Sequence, residues 1–281
     1  MRMHDANQLK AKIKNLARQK GVDARVLLRL YMMERFLDRV AHSDYQDNFV
    51  LKGGMLISYL VGVDLRTTMD IDTTMQNISL SEQDVQDFIS KVISIDVEDG
   101  VRFEMRCLET IMEEADYPGI RASLIADFDG TKTPVKVDVS TGHAITPRAI
   151  KTELPLMFAD RISLPVYPIA TILAEKLQTI LAREEFNTRM RDFYDLHALR
   201  VAQGDSTFKK EELVQAFYAT SRTRDTLYLL ETAQELFRKI EASKALREQW
   251  EAYRKKAQWS DSLLWEDVMR DLAFFLALTL T

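Results

Sequence analysis

Two aspartates one residue apart, Asp70 and Asp72, have the spacing in this chain best suited to chemistry. They lie in the run MDIDTTM (69–75), whose alternation predicts a β-strand. On a strand, residues i and i+2 share a face, about 6.6 Å apart at ~3.3 Å per residue. Carboxylates at that spacing can converge on one or two divalent ions, and Mg²⁺ binds such oxygens together with substrate phosphates. Alone, the pair is also typical of surface residues at a strand end, so its context matters.

A glycine pair stands upstream of these aspartates. Lys52, Gly53 and Gly54 separate the apolar run FVL from MLISYLV, whose apolar residues have helical spacing. Glycines at a helix start let the backbone approach an anion, and the helix N-terminus supplies free N–H groups and positive potential. The sequence therefore predicts either an anion-binding turn or an ordinary turn at the start of a helix.

A third carboxylate follows in the alternating run VKVDV. There Asp138 shares one strand face with Lys136. Asp138 either completes a carboxylate cluster from a neighbouring strand or lies on the solvent side of an edge strand. A Gly-Gly turn opening a helix, then D-x-D, then a lone Asp on a later strand suits two-metal nucleotidyl transfer. Two ions ~3.5–4 Å apart would stabilise the attacking and leaving oxygens.

The elements that must position these residues change in character along the chain. Apolar spacing predicts N-terminal helices over 8–20 and 23–42, and Asp23 is a candidate N-cap. A further helix is predicted over 80–95 with Ser81 as its candidate N-cap. Three strand-like runs follow, at 101–111, 121–128 and 134–140, and Asp129-Gly130 between the last two predicts a hairpin. From about residue 168 the pattern is helical, with helices expected near 168–185, 189–202, 209–221, 226–242, 243–257 and 261–280.

The predicted fold class is mixed α+β: an α/β core with N-terminal helices, followed by a C-terminal helical bundle. We expect a first domain over 1–165 and a second over 166–281. The 281 residues carry a net charge of −5 and 46% apolar residues, as expected of a chain with a substantial core. Cys107 is the single cysteine, which excludes an intramolecular disulfide. No secretory leader or span of ~20 apolar residues is evident, so a cytoplasmic protein without a membrane partner is expected.

The run FVLKGGMLISYL…LRTTMDID (49–72) resembles the nucleotidyltransferase core of the DNA polymerase β superfamily. Its strongest resemblance is to AbiEii-type toxins of type IV toxin–antitoxin and abortive-infection systems. Two downstream runs strengthen the resemblance. LAEKL (173–177) resembles a family helix motif with an active-site lysine, and RDFYDL (191–196) resembles the R-D-x-x-D-L motif. Together these motifs span roughly residues 49–200.

The resemblance implies roles for the matching residues. Mg²⁺, in a two-metal arrangement, would be ligated by three catalytic carboxylates: Asp70, Asp72 and Asp138. The NTP would be bound by backbone and basic groups: Lys52, Gly53, Gly54, Arg66 and Lys176. Lys176 would also offset charge on the leaving pyrophosphate, and Asp192 would orient the acceptor or act as base. Arg191 and Asp195 are possible supporting residues.

This chain departs from the family pattern at two positions. Met55 stands where the family usually has Ser or Thr, and Thr73 where it often has an apolar residue. The residues of the helical motifs also have simpler interpretations. Lys176 lies on an apolar helix, where a lone Lys commonly extends to water. Asp192 and Asp195 share a helix face, which also fits a solvated helix start.

The function implied is Mg²⁺-dependent transfer of NMP from an NTP to an acceptor, a nucleotidyltransferase reaction of the EC 2.7.7 type. By resemblance the acceptor is RNA, with a tRNA 3′ end as one expectation. A cognate AbiEi-like antitoxin would be the partner of this toxin. Two alternatives stay open: an aminoglycoside- or lincosamide-type antibiotic nucleotidyltransferase, and an inactive binding module with the same fold.

Two further patterns have competing interpretations. Arg191 and His197 resemble the R-x4–6-H signature of HEPN-type ribonucleases, but the aspartates between them suit nucleotidyl transfer better. The C-terminal helices mix basic and aromatic residues, among them Trp250 and Trp259, which could bind RNA by phosphate contact and stacking. Core packing is the favoured interpretation of those aromatics.

Overall fold

The computed structural model describes residues 3, 5–77, 81–112, 118–142, 145–256 and 262–280. Two compact units divide the chain. The first comprises Met1–Gly142 and Ile150–Val166, and the second comprises His143–Ala149 and Tyr167–Thr281. The segment 143–149 thus belongs to the helical unit, whereas the sequence assigned it to the first domain. That the two units fold as separate domains stays a prediction.

The first unit is built on a seven-stranded mixed sheet. Its strands are β1 Phe49–Lys52, β2 Ile71–Met75, β3 Val101–Met112, β4 Pro118–Phe128, β5 Thr131–Ser140, β6 Ile150–Pro155 and β7 Arg161–Val166. Their order is β3-β4-β5-β2-β1-β7-β6. β5 pairs with β2 and β7 with β1 in parallel, and the other neighbours are antiparallel. The mixed α+β fold class is therefore confirmed.

Strand β5 lies inside this sheet, between β4 and β2. Its apolar residues Val135, Val137 and Val139 are buried, as the alternation predicts. The interpretation of Asp138 as a solvent-facing residue of an edge strand is wrong, because β5 is paired on both sides and Asp138 is itself buried.

The hairpin predicted at Asp129-Gly130 is confirmed, since β4 ends at residue 128 and β5 begins at 131. Both turn residues have positive φ, 48° for Asp129 and 78° for Gly130, as a type I′ connection requires. A two-residue turn fixes the register of the whole strand pair. It places Arg121 directly opposite Asp138.

The strands β6 and β7 were not predicted. Pro155 and Pro165 interrupt the two segments, and a proline lowers the expectation of a paired strand. β6 is one of the two edge strands of the sheet and is mostly exposed, so it carries little hydrophobic pattern. Only β7 had a usable signal, because Ile162, Leu164 and Val166 alternate and are all buried.

The helices of the first unit are α1 Ala6–Lys20, α2 Ala24–Ala41, α3 Gly53–Val61 and α4 Glu82–Ser94. The N-caps predicted at Asp23 and Ser81 are confirmed, since their side chains accept from the N–H groups of Arg25 and Asp84. A buried arginine of α2, Arg39, donates twice to the Asp99 carboxylate at 2.8 Å. These bonds tie α2 to the segment that leads into β3.

The second unit is helical, as the sequence predicts. Its helices are α5 Ile169–Arg183, α6 Met190–Gln203, α7 Lys210–Thr223, α8 Leu229–Ala242, α9 Lys244–Lys256 and α10 Trp265–Leu280. Trp250 and Trp265 are buried, and Trp265 packs on Phe193 with ring centroids 5.5 Å apart. Core packing is thus the correct interpretation of Trp250, while Trp259 lies outside the described residues.

None of the helices within the described ranges combines the length and the apolar composition that a bilayer crossing requires.

Candidate functional site

The glycine pair forms the first turn of α3, directly after β1. Gly53 has φ +64°, a conformation that side chains of L residues rarely adopt. A Cβ atom added at Gly53 would lie 2.0 Å from Oδ2 of Asp72. The backbone of α3 therefore touches Asp72, one of the three candidate metal ligands, and only glycine leaves room for that contact.

Asp72 lies at the centre of a group of polar residues on three neighbouring strands. Its register partners are Lys52 on β1 and Asp138 on β5. The backbone N–H of Gly54 donates to Oδ2 of Asp72 at 3.2 Å. Lys52 is buried, and its ammonium donates to the hydroxyl of Ser140 on β5 at 2.9 Å.

Asp70 lies one residue before β2, because that strand begins at Ile71. The prediction that Asp70 and Asp72 both lie on the strand is wrong in this detail: pairing starts only after Asp70. Thr68 donates to the Asp70 carboxylate at 3.0 Å and so helps to orient it. Asp70 is nevertheless close enough for its negative charge to raise the pKa of Asp72.

Burial raises the pKa of Asp72 to about 7, and the negative charges of Asp70 and Asp138 add to the effect. The ammonium of Lys52 and the N–H of Gly54 oppose the rise without cancelling it. The contributions of Asp70 and Asp138 show that the carboxylate of Asp72 lies near other negative charges. Such a group is suited to binding a cation.

Arg121 is a site residue that the sequence reasoning missed. From β4 it donates to both carboxylate oxygens of Asp138, at 2.7 and 2.6 Å. The pair raises the pKa of Arg121 and keeps Asp138 neutralised. The signal was present in the sequence, because a two-residue hairpin at 129–130 sets Arg121 opposite Asp138.

The side chains of this group offer the donor atoms that Mg²⁺ prefers, but they are not arranged as a metal site. Their donors are carboxylate oxygens, the ligands that this ion prefers. Among the described ranges, no group of three or more Asp, Glu, His or Cys side chains has the arrangement of a metal site. Both oxygens of Asp138 accept hydrogen bonds from Arg121. Arg121 also interacts electrostatically with Asp70 and Asp72.

The start of α3 also meets basic and hydroxyl groups from the segment that precedes β2. A Cβ atom at Gly54 would lie 2.6 Å from Oγ1 of Thr68 and 3.0 Å from Nη2 of Arg66. Arg66 is buried and so is Met55, which is the departure from the family pattern. Thr68 supplies a hydroxyl close to the glycine turn, and that hydroxyl donates to Asp70. Positive charge and close glycine contacts at a helix start together suit a phosphate.

Lys176, Asp192 and Asp195 form a second group, inside the helical unit. The Lys176 ammonium lies 2.7 Å from Oδ1 of Asp192 and 2.7 Å from Oδ2 of Asp195. Asp195 is fully buried and the Lys176 side chain is 13% exposed. The interpretations of Lys176 as a lysine extending to water, and of the aspartates as a solvated helix start, are therefore wrong.

The charge state of this second group follows from its geometry. Burial alone would lower the pKa of Lys176, but Asp192 and Asp195 outweigh it and raise that pKa above its usual value. Lys176 is therefore cationic at neutral pH. Arg191, the possible supporting residue, is exposed. Nδ1 of His197 lies 2.6 Å from Oδ2 of Asp271 on α10, so His197 contacts a different carboxylate from those that bind Lys176.

Sequence comparison decides the family. The family described as nucleotidyl transferase AbiEii toxin, type IV toxin–antitoxin system, matches residues 35–268. The chain belongs to the AbiEii nucleotidyltransferase toxin family. The predicted enzyme class, a nucleotidyltransferase, is confirmed with it. No curated protein sequence matches this AbiEii-family chain.

Solved structures with similar folds include two from Helicobacter pylori. One, assigned as a nucleotidyltransferase, is 16% identical with a TM-score of 0.49, covering 92% of this chain and 96% of its own. The other, JHP933, is 13% identical with a TM-score of 0.48, covering 91% and 90%. An antigenic nucleotidyltransferase-like protein from Paracoccidioides brasiliensis is 13% identical with a TM-score of 0.39, covering 74% and 92%.

Replacing Gly53 by alanine tests the contact between α3 and Asp72. Gly21→Ala is the matched control, because Gly21 has nearly the same φ, +66°, with nothing within 4 Å of an added Cβ. Both variants carry the backbone cost of about 1–2 kcal/mol. Only Gly53→Ala must displace Asp72, and a misplaced group can cost about 100-fold in turnover. We expect that loss in Mg²⁺-dependent nucleotide transfer by Gly53→Ala alone; equal activity of the two variants would contradict the geometry.

Replacing Lys176 by methionine tests the buried charge group of the helical unit. Two buried carboxylates would lose their cation, so the free energy of unfolding should fall by about 3–5 kcal/mol in denaturant titration. Lys239→Met is the control, since Lys239 makes an exposed ion pair with Glu235, and its removal should change stability little. Similar effects of the two substitutions would show that Lys176 is not the buried partner described here.

Proposed function

We propose that this AbiEii-family enzyme transfers NMP from an NTP to a hydroxyl group of RNA in a Mg²⁺-dependent reaction. The contact of the Gly53-Gly54 turn with Asp72 carries the proposal. It unites an anion-binding backbone turn and a cation-binding carboxylate, the two requirements of a metal–triphosphate complex.

The proposal assigns Asp70 and Asp72 as the main Mg²⁺ ligands. Bound there, Mg²⁺ supplies charge stabilisation to the triphosphate and to the leaving pyrophosphate. Asp138 is the third proposed ligand, and its metal contact competes with the ion pair to Arg121. Arg121 thereby keeps the charge of Asp138 neutralised whenever the metal is absent. Because a metal ion at Asp138 would share that carboxylate with Arg121, we infer that Asp138 would be a weaker ligand than the other two.

The triphosphate is assigned to the start of α3. The N–H groups of the Gly53-Gly54 turn, the buried ammonium of Lys52 and the guanidinium of Arg66 are the proposed phosphate contacts. An acceptor oxygen bonds to the α-phosphorus while the bond to pyrophosphate breaks. The acceptor proton passes to a base, for which the family resemblance offers Asp192. That resemblance also assigns Lys176 to the triphosphate, and both roles stay predictions.

RNA is the proposed acceptor because the chain belongs to a toxin family of toxin–antitoxin systems. A toxin must act on a component of its own cell, whereas antibiotic modification protects the cell. We propose a tRNA 3′ end as the target, a cytoplasmic location and an AbiEi-like antitoxin as the partner that counteracts the enzyme. Blocking a tRNA 3′ end would prevent aminoacylation and so arrest growth.

A transfer assay tests this function. The protein is mixed with Mg²⁺, each α-labelled NTP in turn and total bacterial RNA. We expect label in a tRNA-sized band with one or more NTPs, and its loss in Asp72→Asn, which removes a charge from the proposed metal site. Asp87→Asn is the matched control, because Asp87 is exposed on α4. Chelation of Mg²⁺ should abolish labelling in the wild type.

Three results would contradict the proposal, each in a different way. Label on an aminoglycoside or lincosamide, with none on RNA, would transfer the function to the antibiotic-modifying class. Absence of both transfer and Mg²⁺-dependent NTP binding would identify an inactive binding module. Equal labelling by wild type and Asp72→Asn would place the chemistry elsewhere in the molecule.

A further inference from the structure

Helix α1 is strongly basic in a protein of net negative charge. Its 15 residues include four lysines and one arginine but no Asp or Glu, while the whole chain has net charge −5. The family match begins at residue 35, so α1 precedes the part of the chain that defines the family. Its charge therefore needs an explanation of its own.

Three of these residues form a basic stripe on the surface of α1: Lys10, Lys14 and Arg18. They follow one another at intervals of four residues, which places them along one helix face over about 12 Å. All three are exposed. No ion pair among the described residues involves any of them. Their charges are therefore available to a partner.

The spacing of the basic stripe is unfavourable for the isolated helix. Like charges four residues apart repel each other, and no acidic residue is interleaved to offset them. The helix is nevertheless firmly placed. The Asp5 side chain caps its start by accepting from the N–H of Gln8, and its buried residues Leu9, Ile13 and Ala17 attach it to the unit. The stripe is thus a fixed row of positive charge.

The end of α1 lies against the segment that leads into the candidate site. The Lys20 ammonium is 3.2 Å from Oδ1 of Asp64, in the segment between α3 and β2. That same segment contains Arg66 and Asp70. A second contact is made by Arg29 of α2, which donates to Sδ of Met69 at 3.2 Å, directly before Asp70. The C-terminal end of α1, which directly follows Arg18 of the basic stripe, therefore lies beside the segment that contains two proposed site residues.

We infer that the basic stripe binds the phosphate backbone of the RNA acceptor. This inference rests on the proposed function, since it gives the acceptor a binding surface. Evenly spaced cations with no aromatic residue among them suit sequence-independent phosphate contacts. An anionic membrane fits less well, because the apolar residues of α1 are buried in the protein and cannot enter lipid.

The test compares two triple variants of the full chain. The stripe variant carries Lys10→Gln, Lys14→Gln and Arg18→Gln. The control variant carries Lys91→Gln, Lys132→Gln and Lys151→Gln, three exposed lysines of the same unit. Both lose three positive charges, so the comparison separates the position of the charges from their number. Glutamine and lysine have similar helix propensities, so α1 should remain intact.

Binding to labelled, tRNA-sized bacterial RNA is measured between about 50 and 200 mM salt. Each lost phosphate contact on a single strand reduces the slope of log K against log salt by about 0.7. The stripe variant should therefore show a slope smaller in magnitude by about 2, and an affinity ~100-fold lower at 0.1 M salt. The control variant should resemble the wild type. Mg²⁺-dependent NTP binding should be unchanged in both.

The outcomes distinguish this inference from the proposed function. Unchanged RNA affinity in the stripe variant overturns the inference, even if the wild type labels RNA. A selective loss supports the stripe, even if no NTP is transferred. Equal losses of RNA affinity in both triple variants would show that net charge alone causes the loss, and would overturn the inference. So would a loss of binding to anionic phospholipid vesicles with RNA binding unchanged.

Discussion

The contact between Gly53 and the Asp72 carboxylate is the constraint on which the site depends. With an added Cβ only 2.0 Å from Oδ2, the strand and the helix start approach as closely as a backbone allows. That approach brings the N–H of Gly54 to the carboxylate and places the cations of Lys52 and Arg66 near the same turn. One missing side chain thus joins a region suited to anions with a carboxylate suited to a cation.

The aspartates of the sheet and the Lys176 group of the helical unit are two buried groups of charges with different partners. In the sheet, three aspartates lie close together, and burial with mutual repulsion raises the pKa of Asp72 to about 7. Arg121 neutralises Asp138 through a bidentate pair, and Lys52 opposes the rise in the pKa of Asp72. In the helical unit, Lys176 forms ion pairs with both nearby carboxylates. In the sheet group, a bound metal ion would offset the repulsion that Asp70 and Asp138 exert on the ionised form of Asp72.

Features that depend on neighbouring residues were predicted from the sequence, whereas features that depend on pairing between distant residues were mostly missed. The caps at Asp23 and Ser81 and the 129–130 turn depend on neighbouring residues, so sequence was sufficient. β7 depends on pairing with the distant β1 and β6 on pairing with β7, and both carry prolines, which concealed them. Arg121 could have been found by extending the hairpin register. The burial of Lys176 could not, because its partners lie on a helix whose packing the sequence does not specify.

The most direct test of the central claim is a titration of the Asp72 carboxyl by carbon-13 NMR. The metal-free protein should show a pKa of about 7 for Asp72. Asp70→Asn should lower that pKa, because a neighbouring negative charge is removed. In the wild-type protein, addition of Mg²⁺ with an NTP should lower the pKa of Asp72 by at least ~1, because a bound cation favours the ionised carboxylate. A pKa that stays unchanged when Mg²⁺ and NTP are added would contradict the assignment of Asp72 as a metal ligand.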